Sequence, residues 1–358
     1  MKQISDQTPQ PQISNQNPQN EHRPDPRVTR ILLSLLIIAG GVALLRTTLQ
    51  EARPQGSALV QNDLQEPLAG IRNARLSFKT TSSDITLTGN ANGQLLSGTY
   101  LANENFKLRR SGSTNGGMAD LRFQEETPRR IGFSLGFFGG TSPELRVDLT
   151  PEVPMDLSVG SVSGGLDLNL ADLQLQEFMA STTSGDIDAV LPDGQGADTH
   201  LKTVAGGISV RTSGATKQNQ PEPGSFEASS TSGDLTLNLE NTRYRDVRVS
   251  TTAGEIVLDL PPAQNLKVDT RSVASDQRLT VQEGTSGEIS VQSTGGEIEL
   301  NLPANVNAAI TTSTVGGEVQ ASGLVQQGNT YLTGSGQADL TINIKTVSGD
   351  ILLHTGGR

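Results

Sequence analysis

The sequence predicts an all-β fold: a β-solenoid of stacked coils, each about 21 residues long with two short strands, behind an N-terminal transmembrane helix. Three observations predict it. The phrase STTSGDIDAVLP at 181–192 returns as STSGDLTLNLE, STTAGEIVLDLP and STGGEIELNLP. The apolar residue after each glycine–acid pair recurs at a fixed interval. Aromatic residues make up 3% of the chain, Trp is absent and Gly numbers 39, which suits a thin aliphatic core repeated many times.

Residues 1–29 are rich in Gln, Asn and Pro and hold almost no apolar side chains, the composition of a disordered tail. The run ILLSLLIIAGGVALL at 31–45 follows, bracketed by Arg30 and Arg46. Fifteen uncharged residues fall short of the roughly 20 that span a bilayer. Snorkelling of Arg46 extends the span to residues 30–49. Two other readings are a signal peptide cleaved after Ala43 and a buried helix of a soluble domain, but an all-round apolar helix between a tail and a linker has nothing to pack on. Lys2, Arg23, Arg27 and Arg30 precede the span, so the N-terminus is expected inside and the remainder exported across the cytoplasmic membrane. Residues 50–70 read as a linker, 71–144 as an N-terminal β region capping the solenoid, and 145–358 as the repeat domain.

The repeat carries most of the argument. The apolar markers are Leu166, Ile187, Ile208, Leu235, Ile256, Ile298, Val319 and Leu340, at steps of 21, 21, 27, 21, 42, 21 and 21. The step of 27 holds a six-residue insertion within 216–224, and the step of 42 holds a degenerate copy centred on Gln277. Stepping back 21 from Leu166 reaches Leu145. Around each marker apolar residues alternate, as in Ile256, Leu258 and Leu260 after it and Val247 and Val249 before it. Period two means strands with one face inward. Two strands cannot enclose a core, so coils must stack, giving nine to ten coils over about 45 Å.

Two positions before the marker stand Gly164, Gly185, Gly206, Gly233, Gly254, Gly296 and Gly317, where a corner needs positive φ or a missing Cβ. Five before it stands Ser or Thr every time, at inward parity, so its hydroxyls can bond one another or the corner backbone. The residue beside the glycine is acidic at Asp186, Asp234, Glu255, Asp276, Glu297, Glu318 and Asp339. A carboxylate column invites calcium, but Asp and Glu interchange freely here and one coil offers few of the six to eight oxygens required. A structural corner is the expected role, with no cofactor.

Other functions are constrained by composition. The formal charge of −11 opposes nucleic-acid binding, and from Arg146 onward 26 acids face 12 bases. No cysteine is present, which removes disulfides, thiolate nucleophiles and Cys-based metal sites. His22, His200 and His354 are scattered, and no constellation suggests a polysaccharide lyase or hydrolase. The aromatic patch at 131–140 contains Phe137 and Phe138, a solenoid cap or an interaction patch facing a membrane or partner. Arg243, Arg245 and Arg248 form a basic cluster, solvated or self-associating with an acidic face.

The stretch ELRVDLTPEVPMDLSVGSVSGGLDLNLADLQLQEFMASTTSGDIDAVLP and the TxSGDIxL phrases up to Leu353 resemble the toast-rack domains of bacterial envelope proteins and the β-strand-repeat family labelled "putative adhesins". KTTSSDITLTG at 79–89 adds a further copy. The resemblance implies a β-solenoid and carries no catalytic residue. It points to an extracytoplasmic, non-enzymatic module, an adhesin or scaffold whose partner is a protein or surface polymer, anchored through residues 30–49. Related modules beside membrane sensors imply the alternative, an accessory of an envelope-stress or cell-wall regulatory system.

Overall fold

The computed structural model of the chain describes residues 59–126, 142–194, 196–214, 223–334 and 337–356, all within one structural unit. The tail, the run 30–49, residues 216–222 of the insertion, and Phe137 and Phe138 lie outside the described residues. Among the described residues no helix is long and apolar enough to cross a membrane. Every regular element described is a strand.

The strands form two sheets, of 13 and 14 members. The first collects the strands that follow each glycine corner and the second those that precede it. Ile187 pairs in parallel with Leu166 on one side and Ile208 on the other. Ile208 pairs with Leu235, so the register continues across the six extra residues. Gln277 sits between Ile256 and Ile298, at the place the step of 42 skips. Burial alternates along both kinds of strand: Val247, Val249, Ile256, Leu258 and Leu260 are at most 1% exposed. Each such side chain contributes roughly 1.5–3 kcal/mol of transfer free energy, realised only when neighbouring coils close the ends of the core.

Gln277 occupies a place held elsewhere by Ile, Leu or Val, yet it is buried with its amide satisfied. Its Nε2 donates to Ser272 Oγ and to the Gln292 carbonyl, both at 2.8 Å, and its Oε1 accepts from Thr270 Oγ1 at 2.7 Å. The degenerate copy thus ties the two sheets together through polar contacts across the interior.

The order of coils departs from the sequence at both ends. The strand Asp84–Thr88 lies between Glu144–Leu149 and Leu166–Asn169, pairing Ile85 with both Leu145 and Leu166. Leu145 and Leu166 are therefore two coils apart, although 21 residues separate them. Likewise Ile351–Thr355 lies between Ile298–Leu302 and Val319–Ser322. Leu340, taken above as a corner marker, belongs instead to the opposite sheet, opposite Gly287 and Ala308. The marker of that coil is Ile351, which follows Gly349 and Asp350.

Two strands of the first sheet and three of the second pair antiparallel to their neighbours. They are Leu59–Pro67 and Gln94–Asn103, and Lys107–Asn115, Val325–Gln327 and Thr330–Leu332. Setting these aside, 13 less two and 14 less three leave eleven parallel coils among the described residues: ten from the 145–358 repeat, within the nine to ten expected, and the further copy at 79–89. At a spacing of 4.8 Å they rise about 48 Å. The antiparallel strands cover the outermost coils, as solenoid ends require. Leu59–Pro67, assigned above to the linker, is the edge strand of the first sheet. Its side chains are mostly exposed, so it is held by its ladder to Gln94–Asn103 and carries no apolar alternation to announce itself.

Candidate functional site: the glycine corner and its flanking rows

The corner row runs through the stack as Ser83, Gly164, Gly185, Gly206, Gly233, Gly254, Ser275, Gly296, Gly349 and Gly317. Each coil's corner lies directly against the carbonyl of the one before. A Cβ added to Gly185 would sit 2.6 Å from the Gly164 carbonyl carbon, and one on Gly206 would sit 2.7 Å from that of Gly185. Carbon atoms normally approach no closer than about 3.5 Å. Close approach is therefore the general reason for the glycines; a left-handed φ adds to it only at Gly254 (146°) and Gly296 (110°).

The inward Ser/Thr row serves these corners. Gly164 N–H donates to Ser161 Oγ at 2.8 Å, while Ser161 Oγ donates to the Ser83 carbonyl at 3.2 Å. Thr182 repeats the pattern with Gly185 N–H at 3.0 Å and the Gly164 carbonyl at 3.2 Å. Thr314 does the same with Gly317 N–H at 3.1 Å and the Gly349 carbonyl at 3.3 Å. One hydroxyl thus caps a corner within its own coil and staples it to the next. Thr251 and Thr346 are the exceptions, each with a buried Oγ1 that finds no partner.

The acidic row carries a regularity hidden by chain order. Along the stack it reads Asp84, Gly165, Asp186, Gly207, Asp234, Glu255, Asp276, Glu297, Asp350, Glu318. Asp occupies alternate coils, with Gly or Glu between. Each Asp accepts from the backbone N–H of the next coil's corner: Asp84 from Gly165 at 2.9 Å, Asp186 from Gly207 at 2.7 Å, Asp234 from Glu255 at 2.9 Å, Asp276 from Glu297 at 2.8 Å and Asp350 from Glu318 at 2.9 Å. Asp and Glu therefore do not interchange freely, contrary to the expectation above. Asp is short enough to cap the neighbouring coil; Glu in the intervening place reaches to water. Capping carboxylates recur every second coil, about 9.6 Å, near the Debye length of physiological salt. Asp339 has no place in this row; its backbone carbonyl accepts from Gly287 N–H at 3.0 Å in the opposite sheet.

Outside the corner stands a row that the sequence reading overlooked. Four residues before each marker the chain places a β-branched residue pointing outward: Val162, Thr183, Val204, Thr231, Thr252, Val273, Thr294, Val347 and Val315 along the stack. The signal was available, because the identity is Val or Thr in every copy at outward parity. Two shallow grooves flank this ridge. One, of about 380 Å3, runs between Lys79 and Lys202 over Gly160 and Ser181. The other, of about 400 Å3, is lined by Asp84, Asp167, Asp186 and Asp188.

The remaining candidates disperse. Arg243 and Arg245 are exposed at the far corner, alternating with buried Thr242 and Tyr244, while Arg248 projects from a sheet beside Asp246 at 3.9 Å. Burial pushes the Tyr244 hydroxyl pKa up, and the hydroxyl bonds Thr199 Oγ1 at 2.9 Å. His200 faces Glu227 at 3.4 Å and His354 faces Ser322 at 3.2 Å, with no third ligand assembled; among the described residues no group of three His, Cys, Asp or Glu could hold a metal ion.

One buried carboxylate was missed altogether. Glu125, 5% exposed, lies against the corner of the 73–88 coil, where a further coil's corner would otherwise stand. Its Oε2 accepts from Thr81 N–H at 2.5 Å and Ser82 N–H at 3.1 Å, and its Oε1 from Ser83 Oγ at 2.6 Å and Tyr100 OH at 2.7 Å. Burial, reinforced by this carboxylate, pushes the Tyr100 pKa up, so the phenol remains a donor. No local sequence signal foretells the site, because its parts meet only through the inserted coil.

A sequence model of the family described as Toastrack DUF4097 matches residues 73–354. No curated protein matches. Among solved structures, a "putative adhesin" from Bacteroides fragilis is 9% identical with a TM-score of 0.33, the match covering 84% of this chain and 100% of that one. A "putative cell adhesion protein" from Clostridium sporogenes is 13% identical with a TM-score of 0.25, covering 83% and 99%. A "putative lipid binding protein" from Parabacteroides distasonis is 12% identical with a TM-score of 0.30, covering 84% and 99%. Likeness at this level carries no argument about ligands.

Proposed function

For a chain that belongs to the Toastrack DUF4097 family, we propose the role of a non-enzymatic interaction module, held at the outer face of the cytoplasmic membrane by residues 30–49 and acting in surface adhesion or scaffolding. One observation supports it above the rest: the conspicuous polar residues are already spent on architecture. The Ser/Thr row staples corners and the Asp row caps the adjoining coils, so the repeated phrase builds a rigid rod and leaves its outer rows to make contacts. The anchor reading rests on the apolar run and the basic residues before it, which orient the solenoid outward.

The experiment has two arms. Because the chain has no cysteine, a single Thr236→Cys variant reports sidedness through a membrane-impermeant thiol reagent on intact cells, with any outer membrane permeabilised. Labelling is expected; protection would reverse the orientation. In the second arm, cells lacking the protein should attach less to surfaces or to one another while envelope-stress reporters stay unchanged. The opposite outcome would favour a regulatory accessory.

A further inference from the structure

Among the described residues nothing covers the outward Val/Thr ridge. Its valines, Val162, Val204, Val273, Val347 and Val315, are 43–84% exposed, and threonines stand between them. The row beside the ridge on the preceding sheet carries Lys79, Lys202, Arg271 and Lys345, and otherwise only Ser, Gly and Gln. All four cations are exposed. Arg271 pairs with Asp269 at 2.6 Å; the three lysines make no ion pair with another described residue. On the ridge's other side runs the acidic row. One edge of the molecule thus presents a cationic strip, an apolar strip and an anionic strip in parallel.

We propose that this edge is the interface of a homodimer in which two copies lie side by side and parallel, related by a twofold axis along the stack. The charge pattern selects that operator. A twofold along the stack exchanges left and right, so each cationic row faces the partner's acidic row at the same height. A twofold across the stack reverses the direction of one copy and sets cation against cation and acid against acid. The heights match coil by coil: Lys79 shares a coil with Asp84, Arg271 with Asp276 and Lys345 with Asp350. Lys202 is level with Gly207, between Asp186 and Asp234. The valines lie on the axis, so each meets its own mate, the self-complementary contact of an isologous interface. Burial of the valines supplies the attraction and the facing charges set register and direction. The inference goes beyond the function proposed above and does not depend on the membrane anchor.

The test uses the full-length chain in mild detergent. Single variants Val162→Cys and Val315→Cys place a thiol near each end of the ridge, and Thr236→Cys places one on an outer sheet face. Under mild oxidation, Val162→Cys and Val315→Cys should each form disulfide-linked homodimers at least tenfold faster than Thr236→Cys. A mixture should give little Val162–Val315 product. Preferential Val162–Val315 linkage would mean antiparallel pairing and overturn the proposal, as would equal rates at all three positions. Sedimentation of the unmodified chain supplies the second readout. A dimer is expected, and the double variant Lys79→Glu/Lys202→Glu, exposed at both positions, should weaken it at least tenfold. A monomer at all concentrations up to about 100 μM, or a dimer indifferent to the charge reversal, would overturn the proposal while leaving the anchoring experiment untouched.

Discussion

Two adjacent glycines, Gly164 and Gly165, offer a sharp test of why the corner phrase recurs. Both are conspicuous in the sequence, yet only one is demanded by the fold. An added Cβ on Gly164 would stand 2.5 Å from the Ser83 carbonyl carbon and 2.9 Å from the Asp84 nitrogen. These are backbone atoms of a coil already fixed on both sides, so relief needs a movement of about 1 Å. Overpacking of that kind costs about 1–3 kcal/mol. The movement also strains two hydrogen bonds, from Gly164 N–H to Ser161 and from Thr182 to the Gly164 carbonyl, at about 0.5–1.5 kcal/mol each. Gly164→Ala should therefore lose roughly 2–6 kcal/mol. At Gly165 the nearest atoms to an added Cβ are Asp84 Oδ1 at 3.8 Å and the Asp186 carbonyl oxygen at 3.9 Å, ordinary contacts. Its φ lies outside the left-handed region, so Gly165→Ala should be neutral or gain up to about 1 kcal/mol through the unfolded chain.

Thermal unfolding followed by far-ultraviolet circular dichroism separates the two. For a domain of this size about 2–4 °C accompanies each kcal/mol, so Gly164→Ala should melt roughly 5–20 °C lower and Gly165→Ala within a few degrees of the parent. Equal losses would falsify the close-approach account and return the corner to a purely conformational role for glycine.

Glu125→Ala should cost about 2–5 kcal/mol in urea unfolding, because it strands four donors, whereas Tyr100→Phe removes one donor and should cost under about 1.5 kcal/mol. Asp198, bonded by the Ser225 hydroxyl and N–H, and Glu299, bonded by Arg278, both hold their protons less tightly than ordinary carboxyls. Their contribution to stability is therefore complete above the unfolded carboxylate range near pH 4 and disappears as pH falls through the lower folded values. An Asp198→Asn/Glu299→Gln variant should show a shallower acid limb in stability against pH, and an unchanged limb would remove these two groups from the account. Calcium chloride and sodium chloride at matched ionic strength should move the melting temperature alike, since one oxygen of each corner Asp is committed to a backbone N–H; a calcium-only rise of several degrees would show specific binding.

The regular parts of this fold are legible in the sequence because their causes are local. Inward parity at Val247, Val249, Ile256 and Leu258 follows from period two, and the marker spacing sets register even across the insertion and through Gln277. The order of the end coils is not legible. Leu145 and Leu166 stand 21 residues apart and satisfy the repeat as well as true neighbours do, so nothing local announces that Ile85 comes between them. The same ambiguity hid the alternation of the acidic row: in chain order Glu297 is followed by Glu318, while in space Asp350 separates them. Glu125 and its four donors come from three separate segments, a meeting that only the tertiary arrangement specifies. The outward Val/Thr ridge was legible and overlooked, because attention to inward parity passes over a regular pattern on the outside.

The inserted coil at 340–355 bears directly on how the solenoid could be shortened. Gly287 and Ala308 both pair with Leu340, and Ile298 and Val319 both pair with Ile351. Gly287 to Ala308 and Ile298 to Val319 are each one 21-residue repeat, the spacing that elsewhere joins direct neighbours. Removal of residues 337–358 therefore leaves two faces already in register, with Ala308–Ser313 free to close onto Gly287–Gln292 and Val319–Ser322 onto Ile298–Leu302. Leu340, Ile342, Ile344, Ile351 and Leu353 are lost from the core, but the gap need not persist, because coil-to-coil contacts of the same kind replace those removed. The truncated chain should then lose about one coil's worth of protected amides in hydrogen exchange, with protection at Ile310 and Leu300 retained. In a stack that could not close, Ala308–Ser313 would lose its parallel neighbour, and exchange at Ile310 would rise to the rate of an exposed edge. That second outcome would show that the 21-residue spacing at this end is a relic of the repeat and not a usable register.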